Sequence, residues 1–167
     1  KIPSLRPAFA KDGTITAANS SSISDGASAL IIAGEAAITQ HNLTPMARIV
    51  AHSRFSRAPE EFTLAPVGAI EALLAKTGWG VADVDLWEIN EAFAMVTMLS
   101  MRAFDLDHAK VNVHGGACAQ GHPIGSTGSR IIVTLMHALK QYGKQRGVAA
   151  LCIGGGEATA VAIEMIS

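Results

Sequence analysis

The sequence predicts an α/β fold in which helices flank a mixed, mostly parallel sheet that ends in an antiparallel hairpin. Short runs rich in valine and isoleucine alternate with longer amphipathic stretches, the pattern of strands and crossover helices. Hydrophobic residues make up 49% of the 167 residues and charged residues only 16%, as expected where elements are buried on both faces. Only a few residues around Glu157 separate the last two apolar runs, so these two runs should form the hairpin.

Six apolar runs are predicted to be strands because each is short and is bounded by polar or glycine-containing turns. Three longer segments are predicted to be helices. In the last of them, Ile131, Leu135 and Leu139 are spaced four residues apart and so share one face. The predicted strands are 29–34, 46–53, 84–89, 110–114, 148–153 and 158–165, and the predicted helices are 65–76, 91–104 and 125–142.

The first 25 residues differ in composition from the rest of the chain. The stretch KDGTITAANSSSISDGAS, which begins at Lys11, is rich in glycine, serine, threonine, asparagine and aspartate, which are residues of loops and turns. We expect this segment to wrap a ligand. Residues 26–167 are expected to form one domain around a single core.

Charge and cysteine content restrict the class of partner. The formal net charge is −1 and no run of lysine or arginine forms a basic stripe, so we expect no nucleic-acid partner. The two cysteines, Cys118 and Cys152, are too few for a disulfide framework and suggest free thiols in a reducing compartment, so we expect a cytoplasmic protein. No apolar run is long enough for a membrane span, and no signal peptide is visible at the start.

Three motifs follow predicted strands and should therefore meet at one edge of the sheet. NEAFA covers residues 90–94, HGGACAQGHPIGSTGSR covers 114–130, and CIGGG covers 152–156. In open sheets of this kind, ligands lie beyond the carboxyl ends of the strands. Dense glycine implies that the backbone there turns sharply or approaches another group closely. We expect a functional site at this edge.

Each motif also allows a purely structural interpretation. Asn90 and Glu91 could cap the following helix. His122 could be a loop histidine without a role, although Gly121 and Pro123 fix its backbone and a following helix N-terminus would lower its pKa and keep it neutral.

The two cysteines are interpreted differently. Cys152 could be an inert core thiol, but the three glycines after it free backbone N–H groups to form an oxyanion hole beside a thiol that acts as base or nucleophile. Cys118 lies in mid-loop, without such a partner, and is interpreted as structural.

The glycine-rich motif could also belong to a zinc site or to a phosphate-binding loop. His114, Cys118 and His122 are spaced four residues apart, as zinc ligands on a helix would be. The glycines between them disfavour a helix and no fourth ligand follows at finger-like spacing, so we predict no metal site. A phosphate-binding loop is disfavoured because the segment has no lysine and no Gly-Lys-Ser/Thr ending.

The three motifs in this order, together with LRPAF (5–9) and DGTITAANSSSISDG (12–26), resemble the C-terminal half of the thiolases, and among these the acetyl-CoA acetyltransferases most closely. GHPIG followed by CIGGG is the most specific part of the match. The resemblance implies a thiolase-like C-terminal domain at 26–167 and a remnant of the coenzyme A-binding loop region at 1–25, with the N-terminal half absent. It implies an acyltransferase that reversibly condenses two acetyl-CoA to acetoacetyl-CoA and CoA. The alternatives are a degradative 3-ketoacyl-CoA thiolase of fatty acid metabolism and a non-catalytic thiolase-like module.

The resemblance also implies a role for each catalytic residue. His122 would deprotonate a nucleophilic cysteine of the N-terminal half and then hold the thioester oxygen. Cys152 would remove the α-proton of the second acetyl-CoA. Asn90 would fix a water of the first oxyanion hole, and the N–H of Gly154 would serve the second.

For coenzyme A, the resemblance implies that Ser21 hydrogen-bonds a pantetheine amide. Coenzyme A thioesters would be substrates, with no permanently bound cofactor. The partners would be the N-terminal thiolase half and, in the complete protein, further copies in a dimer or tetramer, whereas this chain alone would be inactive and would self-associate. The residues expected to line the apolar tunnel for the pantetheine arm are Phe9, Ala17, Phe62, Ala92 and Phe93.

Overall fold

The computed structural model describes residues 1–166, which build a four-stranded mixed sheet with helices on both faces. The strand order is β1-β4-β3-β2. The strands are β1 (Ala47–Ser56), β2 (Leu86–Ile89), β3 (Arg146–Cys152) and β4 (Glu157–Met165). The helices are α1 (Glu35–His41), α2 (Ala65–Thr77), α3 (Ala94–Phe104), α4 (Ala117–Gln120) and α5 (Thr127–Tyr142).

The mixed sheet, the flanking helices and the closing β3–β4 hairpin are confirmed. Within the sheet, β2 pairs with β3 in parallel, whereas β3–β4 and β1–β4 are antiparallel. One of three pairings is therefore parallel, rather than most of them. The reason is that β4 returns beside β3 through a tight turn and then lies next to β1, so among neighbouring strands only β2 and β3 are joined by the long crossover that a parallel pair needs.

Two apolar clusters hold the helices against opposite faces of the sheet. α2 packs on a face of alanines from β4, namely Ala158, Ala160 and Ala162, whose small side chains let the helix approach closely. α5 covers the other face, where Leu135 packs against Ile163. A Cβ at Gly147 of β3 would lie 2.8 Å from Leu135, so this glycine makes room for the helix.

Two of the predicted strands are not strands in the structure. Residues 29–34 have no regular secondary structure up to the start of α1, and Ile31 is 94% exposed, because no strand among residues 1–166 pairs with this run. Residues 110–114 do not form a strand because Asn112 adopts a left-handed backbone with φ of 48°. Only Val111 makes an isolated parallel bridge, to Trp87 of β2.

The three predicted helices are confirmed as α2, α3 and α5, each with one end as predicted and the other shifted by one to three residues. The short helices α1 and α4 were not predicted. Among residues 1–166, no helix combines the length and the apolar character that a membrane crossing requires.

Candidate active site

Asn90 stands directly beyond the carboxyl end of β2 and is 2% exposed. Its backbone N–H donates to the carbonyl of Ala150 at 2.9 Å, which extends the parallel pairing with β3 by one residue. Its side-chain Nδ2 lies 3.4 Å from Nε2 of His122, and its Oδ1 accepts from Nη2 of Arg130 at 3.4 Å. The structure thus brings together two predicted site residues that lie on separate loops.

His122 is fixed at both its backbone and its ring. Its backbone N–H donates to the carbonyl of Ser22 at 2.8 Å, which joins the glycine-rich loop to the N-terminal polar segment. Ring atom Nδ1 lies 2.7 Å from the hydroxyl of Thr127, the first residue of α5. Burial, and then the positive charge of Arg130, lower the pKa of His122, so the ring is neutral near pH 7.

Asn90 and Glu91 do not cap a helix. α3 begins at Ala94, and Phe93 occupies the N-cap position without any side-chain capping bond. Residues 90–93 therefore lead out of the strand as an irregular segment, which leaves both polar side chains available for other contacts.

The carboxylate of Glu91 organises the glycine-rich loop. Its Oε2 accepts from the backbone N–H of Cys118 at 3.0 Å, and its Oε1 accepts from Nδ2 of Asn112 at 3.2 Å. A Cβ on Gly116 would collide with this carboxylate, and Gly121 has a φ of +93°. The glycines thus allow the loop to close over Glu91 and then turn into His122.

Cys152 is the last residue of β3 and is 8% exposed. Burial raises the pKa of its thiol, so the thiol is protonated near pH 7. In the turn that follows, Gly154 is exposed and its N–H has no backbone acceptor within residues 1–166, so this donor is free.

The second cysteine, Cys118, is held in place by Glu91. Its thiol lies 3.8 Å from the Glu91 carbonyl oxygen. Burial, and then the negative charge of Glu91, raise the pKa of Cys118 to about 11. Both cysteines are free thiols. Across the described part of the chain, no group of three or more histidine, cysteine, aspartate or glutamate side chains is arranged to hold a metal ion.

Except for Ala17, the residues expected to bind coenzyme A lie around Phe93. Ser21 donates to the carbonyl of Ala92 both from its N–H, at 3.2 Å, and from its Oγ, at 2.9 Å. The Phe93 ring makes edge contacts with Phe9 and Phe62, at centroid distances of 5.8 and 6.1 Å. The structure places the remaining candidate, Ala17, in the exposed turn Ala17–Asn19 of the same N-terminal segment.

Sequence reasoning missed the polar residues behind Asn90 and His122. One signal was present, because Glu88 is a charged residue inside the wholly buried strand β2. Arg130 carried no such signal in the sequence, because it ends a serine-rich and glycine-rich stretch in which an exposed position is expected. The missed residues are Glu88, Asn112, Thr127 and Arg130.

Comparisons with known proteins agree on one family. Residues 43–165 match the family model described as "Thiolase, C-terminal domain", and residues 1–36 match "Thiolase, N-terminal domain". A probable acetyl-CoA acetyltransferase from Dictyostelium discoideum is 48% identical over 166 residues, covering 99% of this chain and 40% of that protein.

Two solved structures share the fold and much of the sequence. The acetyl-CoA acetyltransferase of Bacillus anthracis superposes with a TM-score of 0.95 at 44% identity, covering 99% of this chain and 42% of that one. Human mitochondrial 3-ketoacyl-CoA thiolase in complex with CoA also gives a TM-score of 0.95, at 47% identity and the same coverage.

Proposed function

The chain belongs to the thiolase family, and on that premise we propose that it is the C-terminal part of an enzyme that condenses two acetyl-CoA to acetoacetyl-CoA and CoA. It spans about 40% of the length of the relatives it matches, so this activity is proposed for the complete protein. The supporting observation is the contact between Asn90 and His122 beyond the carboxyl end of β2, where the neighbouring strand β3 ends in Cys152.

In the proposed first half-reaction, the neutral ring of His122 accepts the proton of a nucleophilic cysteine from the upstream part of the protein. The resulting thiolate attacks the carbonyl carbon of acetyl-CoA, and the bond from that carbon to the CoA sulfur breaks. CoA leaves as its thiol because His122 returns the proton to this sulfur. A neutral imidazole suits this step because it accepts a proton and can later donate a hydrogen bond to the thioester oxygen. The lowered pKa of His122 supports this role.

In the second half-reaction, Cys152 acts as a base only in its thiolate form, which is the minor form near pH 7 because burial raises the pKa of the thiol. This thiolate removes an α-proton from a second acetyl-CoA and passes that proton to the upstream cysteine when that cysteine is released. The enolate carbon then attacks the acyl-enzyme and releases the upstream cysteine. A thiolate is too weak a base for this proton in water, so the barrier falls only where donors already face the developing oxyanion. We assign Gly154, with its free N–H, and Asn90, through a bound water, to these oxyanion positions.

The pantetheine arm is proposed to lie along the segment around Phe93. Its apolar part would contact Phe9, Phe62, Ala17 and Ala92, and Ser21 would hydrogen-bond an amide of the arm. The connection of Ser21 to the Ala92 carbonyl supports this proposal because it holds the polar segment against the start of α3.

The division of roles is tested by single substitutions in the complete protein. Cys152→Ala is expected to abolish condensation while acetyl-CoA still acylates the upstream cysteine, whereas His122→Ala impairs both steps. Acylation is measured by mass spectrometry and condensation by formation of acetoacetyl-CoA. Cys118→Ala is the matched control and should retain both steps. Equal loss of both steps in Cys152→Ala contradicts the assignment.

A degradative 3-ketoacyl-CoA thiolase is the second candidate. It is favoured by the human mitochondrial 3-ketoacyl-CoA thiolase, which is as similar to this chain as the acetyl-CoA acetyltransferases are. The two candidates would share His122 and Cys152 and would differ in the acyl chain accepted. Steady-state cleavage rates with acetoacetyl-CoA and with a long-chain 3-ketoacyl-CoA separate them, and faster cleavage of the long chain selects the degradative enzyme.

We further propose that the chain by itself is not catalytic and that the complete enzyme is a cytoplasmic dimer or tetramer. Neither cysteine here fits the nucleophile, because Glu91 holds Cys118 in the loop and Cys152 is assigned as the base. An assay of CoA release from acetyl-CoA by the chain alone should give no turnover, and measurable turnover contradicts the proposal.

A further inference from the structure

Arg130, in the first turn of α5, reaches behind the candidate active site. Its Nη2 donates to Oδ1 of Asn90 at 3.4 Å, and its Nη1 donates to Oε1 of Gln120 at 3.3 Å. The Gln120 amide is itself anchored, since its Nε2 donates to the His114 carbonyl at 2.8 Å. A guanidinium group has donors and no acceptors, so the Asn90 atom that faces it must be the oxygen.

The orientation of the Asn90 amide determines which atom of the His122 ring carries the proton. With its oxygen on Arg130, Asn90 presents its NH₂ group to Nε2 of His122, so Nε2 must accept. On the other side of the ring, the Thr127 hydroxyl donates to the Pro123 carbonyl at 3.0 Å and is therefore free to accept from Nδ1–H. Both neighbours of the ring require the same tautomer.

We propose that Arg130 is a positioning residue that, through Asn90, holds the neutral His122 ring with its hydrogen on Nδ1 and its lone pair on Nε2. The tautomer follows from the hydrogen bonds alone. The use we assign to it, that Nε2 accepts the proton of the upstream nucleophile, rests on the proposed function. Histidine tautomers are commonly set in this way by the hydrogen bond at the other ring nitrogen.

The surroundings of Arg130 explain why its guanidinium is directed to amide oxygens. Glu88 of β2 is a candidate counter-charge because its carboxyl is affected by the charge of Arg130, yet no ion pair forms between them. Burial raises the pKa of Glu88 to about 8, against the opposing charge of Arg130, so the carboxyl is largely protonated near pH 7. Asn90 and Gln120 therefore have little competition for the guanidinium donors.

The test reads the tautomer directly in the ¹⁵N-histidine-labelled chain. Long-range proton–nitrogen correlations distinguish Nδ1–H from Nε2–H rings, and the His122 signal is assigned by its loss in His122→Gln. At about pH 7.5, where the ring is neutral, we expect the Nδ1–H form in the unmodified chain. In Arg130→Met we expect loss of most of that signal and growth of the Nε2–H form. Lys140→Met, which removes an exposed positive charge from the last turn of the same helix, should leave the pattern unchanged.

Two results overturn the proposal: an Nε2–H ring in the unmodified chain, or an Nδ1–H ring that persists in a folded Arg130→Met variant. If Arg130→Met does not fold, the exposed Gln120→Met substitution decides, because it releases one end of the guanidinium. A growing Nε2–H fraction there supports the proposal, and an unchanged ring refutes it. No substrate is present in any of these measurements, so their failure leaves the acylation and condensation assays of the proposed function unaffected.

Discussion

Glu88 shows how a single residue couples the core to the candidate site. It lies in β2 two positions before Asn90 and is 2% exposed, and its Oε1 is a buried acceptor without a partner among residues 1–166. A carboxyl in such surroundings favours its neutral form. The stability of the fold should therefore depend on the protonation of this one group.

Glu88→Gln is expected to flatten the dependence of stability on pH. The pKa of Glu88 is about 8 in the folded chain and near 4.5 in the unfolded chain, so the unfolded chain alone releases this proton between those values. The free energy of unfolding should consequently fall as pH rises from 4.5 to 8, by at most about 1.4 kcal/mol per pH unit. Urea unfolding at about pH 5 and at about pH 8 measures this change in the free energy of unfolding.

The glutamine variant should lose this slope, whereas Glu71→Gln, on an exposed position of α2, should keep it. An identical pH slope in the unmodified chain and in Glu88→Gln would show that Glu88 ionises normally in the fold.

At the scale of elements, α5 does two things, because it covers one face of the sheet and carries Thr127 and Arg130 to the site. Its apolar spacing made it the easiest element to predict, since three leucine or isoleucine residues four apart form one buried face. The predicted strand at 29–34 has an equally apolar sequence, but no strand within residues 1–166 pairs with it. A strand depends on its neighbour in a way that a helix does not. The helix α1 has only seven residues and none of them is buried, so no periodic apolar pattern marks this helix in the sequence.

Leu135→Ala should destabilise the fold by about 2–5 kcal/mol, because the side chain is fully buried and packs over Gly147. The glycine cannot fill the space that the leucine vacates. Urea or thermal unfolding followed by circular dichroism measures the change. His137→Ala, two positions along on the exposed side of α5, should stay within about 0.5 kcal/mol, and an equally small effect of Leu135→Ala would mean that the helix is not held through this contact.

The positions of the individual candidate residues could be read from the sequence to different extents, and their roles remain predictions. GHPIG and NEAFA identified His122 and Asn90 because glycine, proline and a strand end constrain these positions locally. The contact of Arg130 with Asn90 joins residues 40 positions apart and depends on how α5 is set against β2. Nothing in the local sequence encodes that distance.

At the scale of the whole molecule, the run 29–34 stands out because its apolar side chains are exposed and no strand within residues 1–166 pairs with it. Ile31 and Ile32 are 94% and 75% exposed, and they lie within the segment that matches the N-terminal thiolase domain. Exposed extended segments of this kind offer unpaired backbone and apolar side chains to any available strand. This run explains why we expect the chain alone to self-associate.

Replacing both residues, Ile31→Ser with Ile32→Ser, should shift the chain towards the monomer in sizing chromatography. The control is Leu43→Ser, which replaces an apolar residue that is 42% exposed outside this run. Unchanged elution of the double variant would mean that another surface drives association.

The bond between the His122 N–H and the Ser22 carbonyl also governs how the chain folds. It closes a loop of about a hundred residues, and such closure is entropically expensive and slow compared with forming the β3–β4 hairpin. During refolding, the hairpin and α5 should acquire protection from hydrogen exchange first, and the N-terminal segment should dock onto them afterwards. Mild denaturant should release that segment before the sheet melts, so the hydrogen bond of Ser21 to the Ala92 carbonyl would be lost while most of the helical and strand signal remains.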